Sequence, residues 1–163
     1  MGGTSTSPML FSPNANLSRA MIVTILHRRE GTPAPSGAAN PFSDVRAGQW
    51  FTDAVLWAAQ NGIVSGSGGR FNPNDNVTRQ DLAVILMNYA DFRNLTLPVS
   101  NPNVVFSDQN QIADYARGAV RRCAEAGIIG GRQGSGGSLL FAPRGNATRA
   151  EAAAMLHRFL TLI

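Results

Sequence analysis

The sequence has no lysine, one cysteine and few charges of either sign. All 14 basic residues are arginine, against 10 acids. The missing lysines leave guanidinium as the main cationic group, a planar fork suited to carboxylate or phosphate. A GC-rich genome would leave the same bias, so the count alone is not a site. The net charge of +4 and pI of about 10.5 permit an anionic partner. They do not choose among nucleic acid, anionic glycan and membrane surface. A lone Cys123 excludes an internal disulfide and cannot build a metal site. No apolar run approaches the roughly 18–20 residues that span a bilayer, so no membrane insertion is expected. Met1–Pro8 is small and polar and does not read as a signal peptide. The signal of an exported protein would lie outside this chain. No Ser/His/Asp order, zinc signature, phosphate loop or dinucleotide fingerprint occurs, so neither catalytic residues nor a cofactor are expected.

What is present is repetition. Phe11-Ser-Pro13-Asn-Ala-Asn16-Leu-Ser18-Arg19 recurs as Phe71-Asn-Pro73-Asn-Asp-Asn76-Val-Thr78-Arg79 and as Phe141-Ala-Pro143-Arg-Gly-Asn146-Ala-Thr148-Arg149. A second block precedes the last two copies. Phe42-Ser-Asp44 leads to Trp50, Ala54-Val55, Gly62-Ile63 and Gly66; Phe106-Ser-Asp108 leads to Tyr115, Ala119-Val120, Gly127-Ile128 and Gly131. The second of these blocks carries extra residues in the Gly/Ser-rich stretch Gln133–Ser138. Self-similarity at such spacing marks a repeat architecture. The units are residues 1–31 (second half only), 41–93 and 105–163, joined by Pro/Gly/Ser/Asn-rich connectors at 31–41 and 94–105.

Ser18, Thr78 and Thr148 have the chemistry of helix N-caps, and Asp81 and Glu151 stand where a capping box puts its acid; Met21 replaces that acid in the first unit. The cap reading predicts that Thr148→Ala costs about 1 kcal/mol. Apolar residues follow at helical spacing: Ile22, Val23, Leu26; Leu82, Ala83, Leu86; Ala152, Ala153, Leu156. Three such stripes bury one another, with Leu26, Leu86 and Leu156 at equivalent positions around a shared axis. The other block predicts a lobe helix over Trp50–Asn61 and another over Ile112–Ala126, each followed by a glycine, Gly62 or Gly127, in the left-handed conformation. Trp50 and Tyr115 either pack into the core or face a ligand. Cys123 aligns with Ala58 and reads as a buried residue.

These residues resemble the S-layer homology (SLH) family. The resemblance covers nearly the whole chain. It rests on Ser18-Arg19-Ala20-Met21, Thr78-Arg79-Gln80-Asp81 and Thr148-Arg149-Ala150-Glu151, which look like the family's T-R-A-E motif. The F-x-P approach, the F-x-D opening and the turns Gly62–Gly66 and Gly127–Gly131 add to it. The resemblance implies an all-α fold, with SLH-like repeats forming a pseudo-trimeric helical bundle with lobes, the first repeat incomplete. It further implies a non-catalytic module at the extracellular surface. Such a module anchors a surface protein by binding a secondary cell-wall polymer, often one with pyruvate ketals, in grooves between repeats. The motif arginine implicated in binding falls on Arg19, Arg79 and Arg149.

Each candidate has two readings. An arginine on the first turn of a helix can fork onto a carboxylate where free N–H groups favour an anion; it can equally bridge to acids of the neighbouring lobe and hold repeats together. Ser18, Thr78 and Thr148 belong to the same helix starts. Asp44 and Asp108 could accept hydrogen bonds from sugar hydroxyls or cap the lobe helices. Gly66 and Gly131 could admit a ligand or turn the chain. His27 and His157 share a position near helix ends, where charge compensation explains them better than a metal. A nucleic-acid partner is disfavoured, since the arginines are dispersed apart from Arg28-Arg29 and Arg121-Arg122. The alternative function is a protein-interaction scaffold, as a homodimer or with the missing helix supplied in trans.

Overall fold

The computed structural model describes residues 2–6 and 9–163; part of the Met1–Pro8 segment lies outside them. It is mostly helical. α1 (Arg19–Arg29), α3 (Arg79–Phe92) and α5 (Arg149–Leu160) follow the three motif copies. α2 (Thr52–Gln60) and α4 (Arg117–Glu125) are the lobe helices. Both are shorter than their periodicity suggested, and a 3-10 turn at Asp114–Ala116 precedes α4. Two antiparallel ladders lie outside the all-α expectation: β1 (Ser5–Thr6) with β2 (Met9–Leu10), and β3 (Arg132–Gln133) with β4 (Leu139–Leu140).

The long helices start where the caps predict. Ser18, Thr78 and Thr148 are extended, and their side-chain oxygens accept from the N–H of Met21, Asp81 and Glu151. Glu151 returns a bond to the Thr148 N–H and completes a capping box. Asp81 does not close the equivalent box: it accepts from the Thr78 hydroxyl and from Tyr115. Gly62 (φ 69°) and Gly127 (φ 73°) end the lobe helices in the left-handed region.

Three residues just before the caps tie the units together. Leu17 N–H donates to Ala147 O, Ala147 N–H to Val77 O, and Val77 N–H to Leu17 O, each at 2.9 Å. This closed ring is fully buried. The next residues continue it: Arg19 and Ala20 donate to Asp75 and Pro73, Arg79 and Gln80 to Gly145 and Pro143, and Arg149 and Ala150 to Ala15 and Pro13. The first N–H groups of each helix, which have no partner inside it, are thus satisfied by the preceding loop of another unit. At the far ends, Tyr89 of α3 packs on Phe159 of α5, with ring centroids 5.9 Å apart, and donates its hydroxyl to Glu30 beyond α1. Arg93 pairs with the same carboxylate at 2.7 Å.

α2 packs on α1 and α4 on α3. Trp57 meets the His27 ring, and the Cys123 thiol points at the Ala83 carbonyl. Burial pushes that thiol up to about 12. α5 carries no such helix among the described residues. Ala20 and Gln80 are buried while their counterpart Ala150 is exposed; His27 and Met87 are buried while His157 is exposed.

Candidate functional site

Each motif arginine reaches the F-x-P loop that precedes another long helix and makes the same contacts there. Arg19 donates from Nε to the Phe71 carbonyl (2.9 Å) and from Nη2 to Ser65 O (3.2 Å). Arg79 donates from Nε to Phe141 O (2.7 Å) and from Nη2 to Gly130 O (3.3 Å). Arg149 donates from Nε to Phe11 O (2.8 Å) and from Nη2 to Gly2 O. Each guanidinium also lies over the ring of the same phenylalanine, 4.8–5.4 Å from its centroid. Gly2 precedes Gly3 as Ser65 precedes Gly66 and Gly130 precedes Gly131. The N-terminal residues therefore supply the third arginine with the carbonyl that the lobe turns supply to the other two.

Arg79 and Arg149 are almost fully buried, 3% and 4% exposed. Their side chains tie two helix starts to the backbone of sequence-distant loops, at Phe141 and Phe11. The acid that meets Arg79 lies on the next long helix, not on a lobe: Arg79 Nη1 donates to Glu151 at 2.9 Å. Burial lowers the Arg79 pKa, against the pull of Glu151. Arginine starts so high that it stays charged. Glu151 is itself held below the ordinary carboxylate value. Burial is the largest influence and raises it, but the Thr148 N–H, Arg132 and Arg79 together more than offset that.

Arg19 and Arg79 nevertheless border clefts. One, of about 100 Å³, is lined by Arg19, Ile63, Val64, Ser65, Asp81, Val84, Ile85, Asn88 and Tyr115. A second, of about 180 Å³, is lined by Arg79, Gly130, Gly131, Arg132, Glu151, Ala154, Met155 and Arg158. Position by position these are the same cleft at two successive junctions: Arg19 matches Arg79, Ser65 matches Gly130, Asp81 matches Glu151, Ile85 matches Met155 and Asn88 matches Arg158. Pockets enclosing a drug-sized ligand hold about 300–1,000 Å³, so each cleft suits an end group. A larger cavity of about 480 Å³ lies between α4 and the loop before it, against Phe106, Ile112 and Val120. It involves no motif arginine, and its Arg117 is paired with Asp114 at 2.8 Å.

The remaining candidates divide. Tyr115 is 63% exposed and Trp50 58%, so neither packs into the core. Tyr115 lines the first cleft and donates to Asp81 at 2.6 Å. Partial burial, then that bond, push its phenol up to about 12. Trp50 stands edge-on to Phe51. Asp44 and Asp108 cap no helix. The Asp44 carboxylate accepts from the N–H groups of Phe71 and Asn72, and Asp108 from those of Phe141 and Ala142, all at 2.8 Å. Asn72 and Ala142 sit at φ 55°, which non-glycine residues rarely adopt; the two acids hold the F-x-P loops in that form. Gly66 and Gly131 make room for the chain itself. A Cβ on Gly66 would lie 2.3 Å from Arg70 O, and one on Gly131 2.4 Å from Leu139 Cγ. His27 is buried and bonded to Pro33 O at 2.8 Å. Sequence reasoning missed Asn88, Arg132, Glu151 and Arg158 as cleft residues. Arg158 and Asn88 were findable as one column, ten residues past each cap; Arg132 immediately precedes the unrepeated Gly/Ser-rich insertion.

Residues 41–83 and 105–153 match the S-layer homology domain, and the chain belongs to that family. It is 34% identical over 154 residues to the amylopullulanase of Thermoanaerobacterium thermosulfurigenes, covering 92% of this chain and 8% of that protein. It is 34% identical to the exoglucanase XynX of Acetivibrio thermocellus, covering 92% and 13%. With the surface-layer 125 kDa protein of Lysinibacillus sphaericus it shares 30% over 149 residues, 91% of this chain and 12% of that one. The chain therefore spans under a sixth of the length of these relatives. An amylopullulanase, an exoglucanase and a surface-layer protein are thus alike over this segment. It is a non-catalytic cell-surface anchoring module.

Proposed function

We propose that the three units form a pseudo-trimer that binds an anionic secondary cell-wall polymer, bearing pyruvate ketals, in the clefts between repeats. In this reading the chain holds a larger surface protein to the bacterial envelope. The observation that carries it is the recurrence of one cleft at two successive junctions, each floored by a motif arginine. The arginine there assembles the cleft: it fixes the F-x-P loop and the glycine turn that form its walls. Asp44 and Asp108 brace the same loops, and Ser18, Thr78 and Thr148 set the helix starts. Contact with the sugar then falls to side chains at the mouth, Tyr115 and Asn88 in one cleft and Arg132 and Arg158 in the other.

The test is co-sedimentation of the chain with purified sacculi before and after mild acid removal of ketals. Binding that disappears with the ketals supports the reading; binding unaffected by their removal, or none to intact walls, overturns it. A second reading has its own observation. The exposed α5 residues Ala150 and His157 match positions that are buried on α1 and α3, the helices on which the lobe helices pack. They fit a scaffold completed by a partner helix or a second copy, and sedimentation equilibrium across a concentration series would reveal such a dimer.

A further inference from the structure

We propose that the residue ten positions past the helix cap selects what each cleft takes, so that Arg158 makes the second cleft a carboxylate site while Asn88 leaves the first to neutral hydroxyls. This deepens the cell-wall-polymer reading and rests on it. The two side chains are placed alike: Asn88 Nδ2 donates to Ile63 O at 3.1 Å, and Arg158 Nη1 to Ile128 O at 3.4 Å. Ile63 and Ile128 are equivalent residues of the two lobe turns, so one anchor presents a neutral amide in one cleft and a cation in the other.

The motif arginine is not free to do this work. All three nitrogens of Arg79 are engaged, with Phe141 O, Glu151 and Gly130 O. Arg132 lies across both oxygens of Glu151, with Nε at 2.7 Å and Nη2 at 2.8 Å. Arg158 is exposed, has no carboxylate in ion-pairing reach among the described residues, and is held by one long bond to a neutral carbonyl. Its remaining N–H groups open onto a cleft that holds three guanidiniums and one carboxylate. An anion entering there meets a net positive wall and a planar fork that matches its two oxygens. The first cleft balances Arg19 against Asp81, whose carboxylate would repel the same anion. Its Asn88 amide and Tyr115 hydroxyl suit hydroxyl groups instead.

Calorimetric titration with a pyruvate-ketal hexoside, its neutral methyl ester and inorganic phosphate tests this, alongside sacculus binding. The expected result is one carboxylate-dependent site, weakened about tenfold or more by Arg158→Asn, with an unchanged melting temperature. Asn88→Arg should raise the stoichiometry from one to two. Undiminished hexoside binding by Arg158→Asn would overturn the inference, as would ester binding equal to the acid. Phosphate binding as tightly as the hexoside, and lost in Arg158→Asn, would assign the cleft to phosphate groups and overturn the carboxylate assignment. If Arg158→Asn and wild type pellet equally with sacculi and neither binds the hexoside, this inference fails while anchoring stands. If wild type does not bind sacculi at all, the anchoring reading fails with it.

Discussion

Replacing Arg79 by alanine separates cohesion from ligand contact. The side chain is 3% exposed. Its loss strips a donor from two carbonyls, Phe141 O and Gly130 O, and removes the cation from the Phe141 ring. Glu151 also loses one of its two arginines, though Arg132 remains at 2.6 Å. Breaking a buried ion pair by removing one partner costs about 3–5 kcal/mol. The partial exposure of Glu151 and its surviving partner place this case near about 3 kcal/mol. For a domain of this length that lowers the melting temperature by roughly 6–12 °C. Urea denaturation followed by far-ultraviolet circular dichroism, compared with Arg158→Asn, measures it. Arg79→Ala should be destabilised by the full amount and Arg158→Asn by less than about 0.5 kcal/mol, as for an exposed side chain. A loss below about 1 kcal/mol for Arg79→Ala would refute the claim that this arginine cements the junction. A corollary is that lost wall binding in Arg79→Ala identifies a contact residue only if the variant is shown to be folded.

Three further outcomes follow from the same geometry. Asp108→Ala should cost about 2–3 kcal/mol, because it leaves two N–H groups unpaired beside the left-handed Ala142; equal urea midpoints for mutant and wild type would contradict this. Gly66→Ala should destabilise more than Gly131→Ala, since the first collides with backbone and the second mainly with a leucine side chain; the reverse order of melting temperatures would count against the packing described. Glu30, Asp44 and Glu151 all have lowered folded-state values despite burial, through Tyr89 and Arg93, through the Phe71 and Asn72 N–H groups, and through the Thr148 N–H and Arg132. Their stabilisation is therefore complete above the unfolded carboxylate values of about 4 and is lost as pH falls through the lower folded ones. Urea midpoints should hold from pH 7 to about 5 and drop toward pH 3; a flat profile would contradict the assignment.

The repeat, the caps and the apolar stripes were legible because they depend on local chemistry: a hydroxyl three residues before an N–H, or leucines on one helix face. The Asp44 and Asp108 contacts were not, because each reaches 27–34 residues along the chain to a backbone N–H that no spacing reveals. For Trp50 and Tyr115 spacing left core and ligand-facing readings open, because both stand before the first full turn of their helix, which begins at Thr52 or Arg117. The arginines stand on the first turn of the long helices, where the motif puts them. That their forks would be saturated by carbonyls and Glu151 depended on the neighbouring unit's loop, which the motif does not encode. The cleft column at Asn88 and Arg158 escaped notice because it does not repeat in residue type, and that very difference sets one cleft apart from the other.

The most direct test of cell-wall anchoring through the junction clefts is an amide chemical-shift map of the isotope-labelled chain titrated with purified secondary cell-wall polymer. The account predicts the largest shifts at Gly130, Gly131, Arg132 and the Ala154–Arg158 segment, with smaller ones near Ser65 and Asn88. Shifts confined to the larger cavity by Phe106, Ile112 and Val120, or none at saturating polymer, would contradict it.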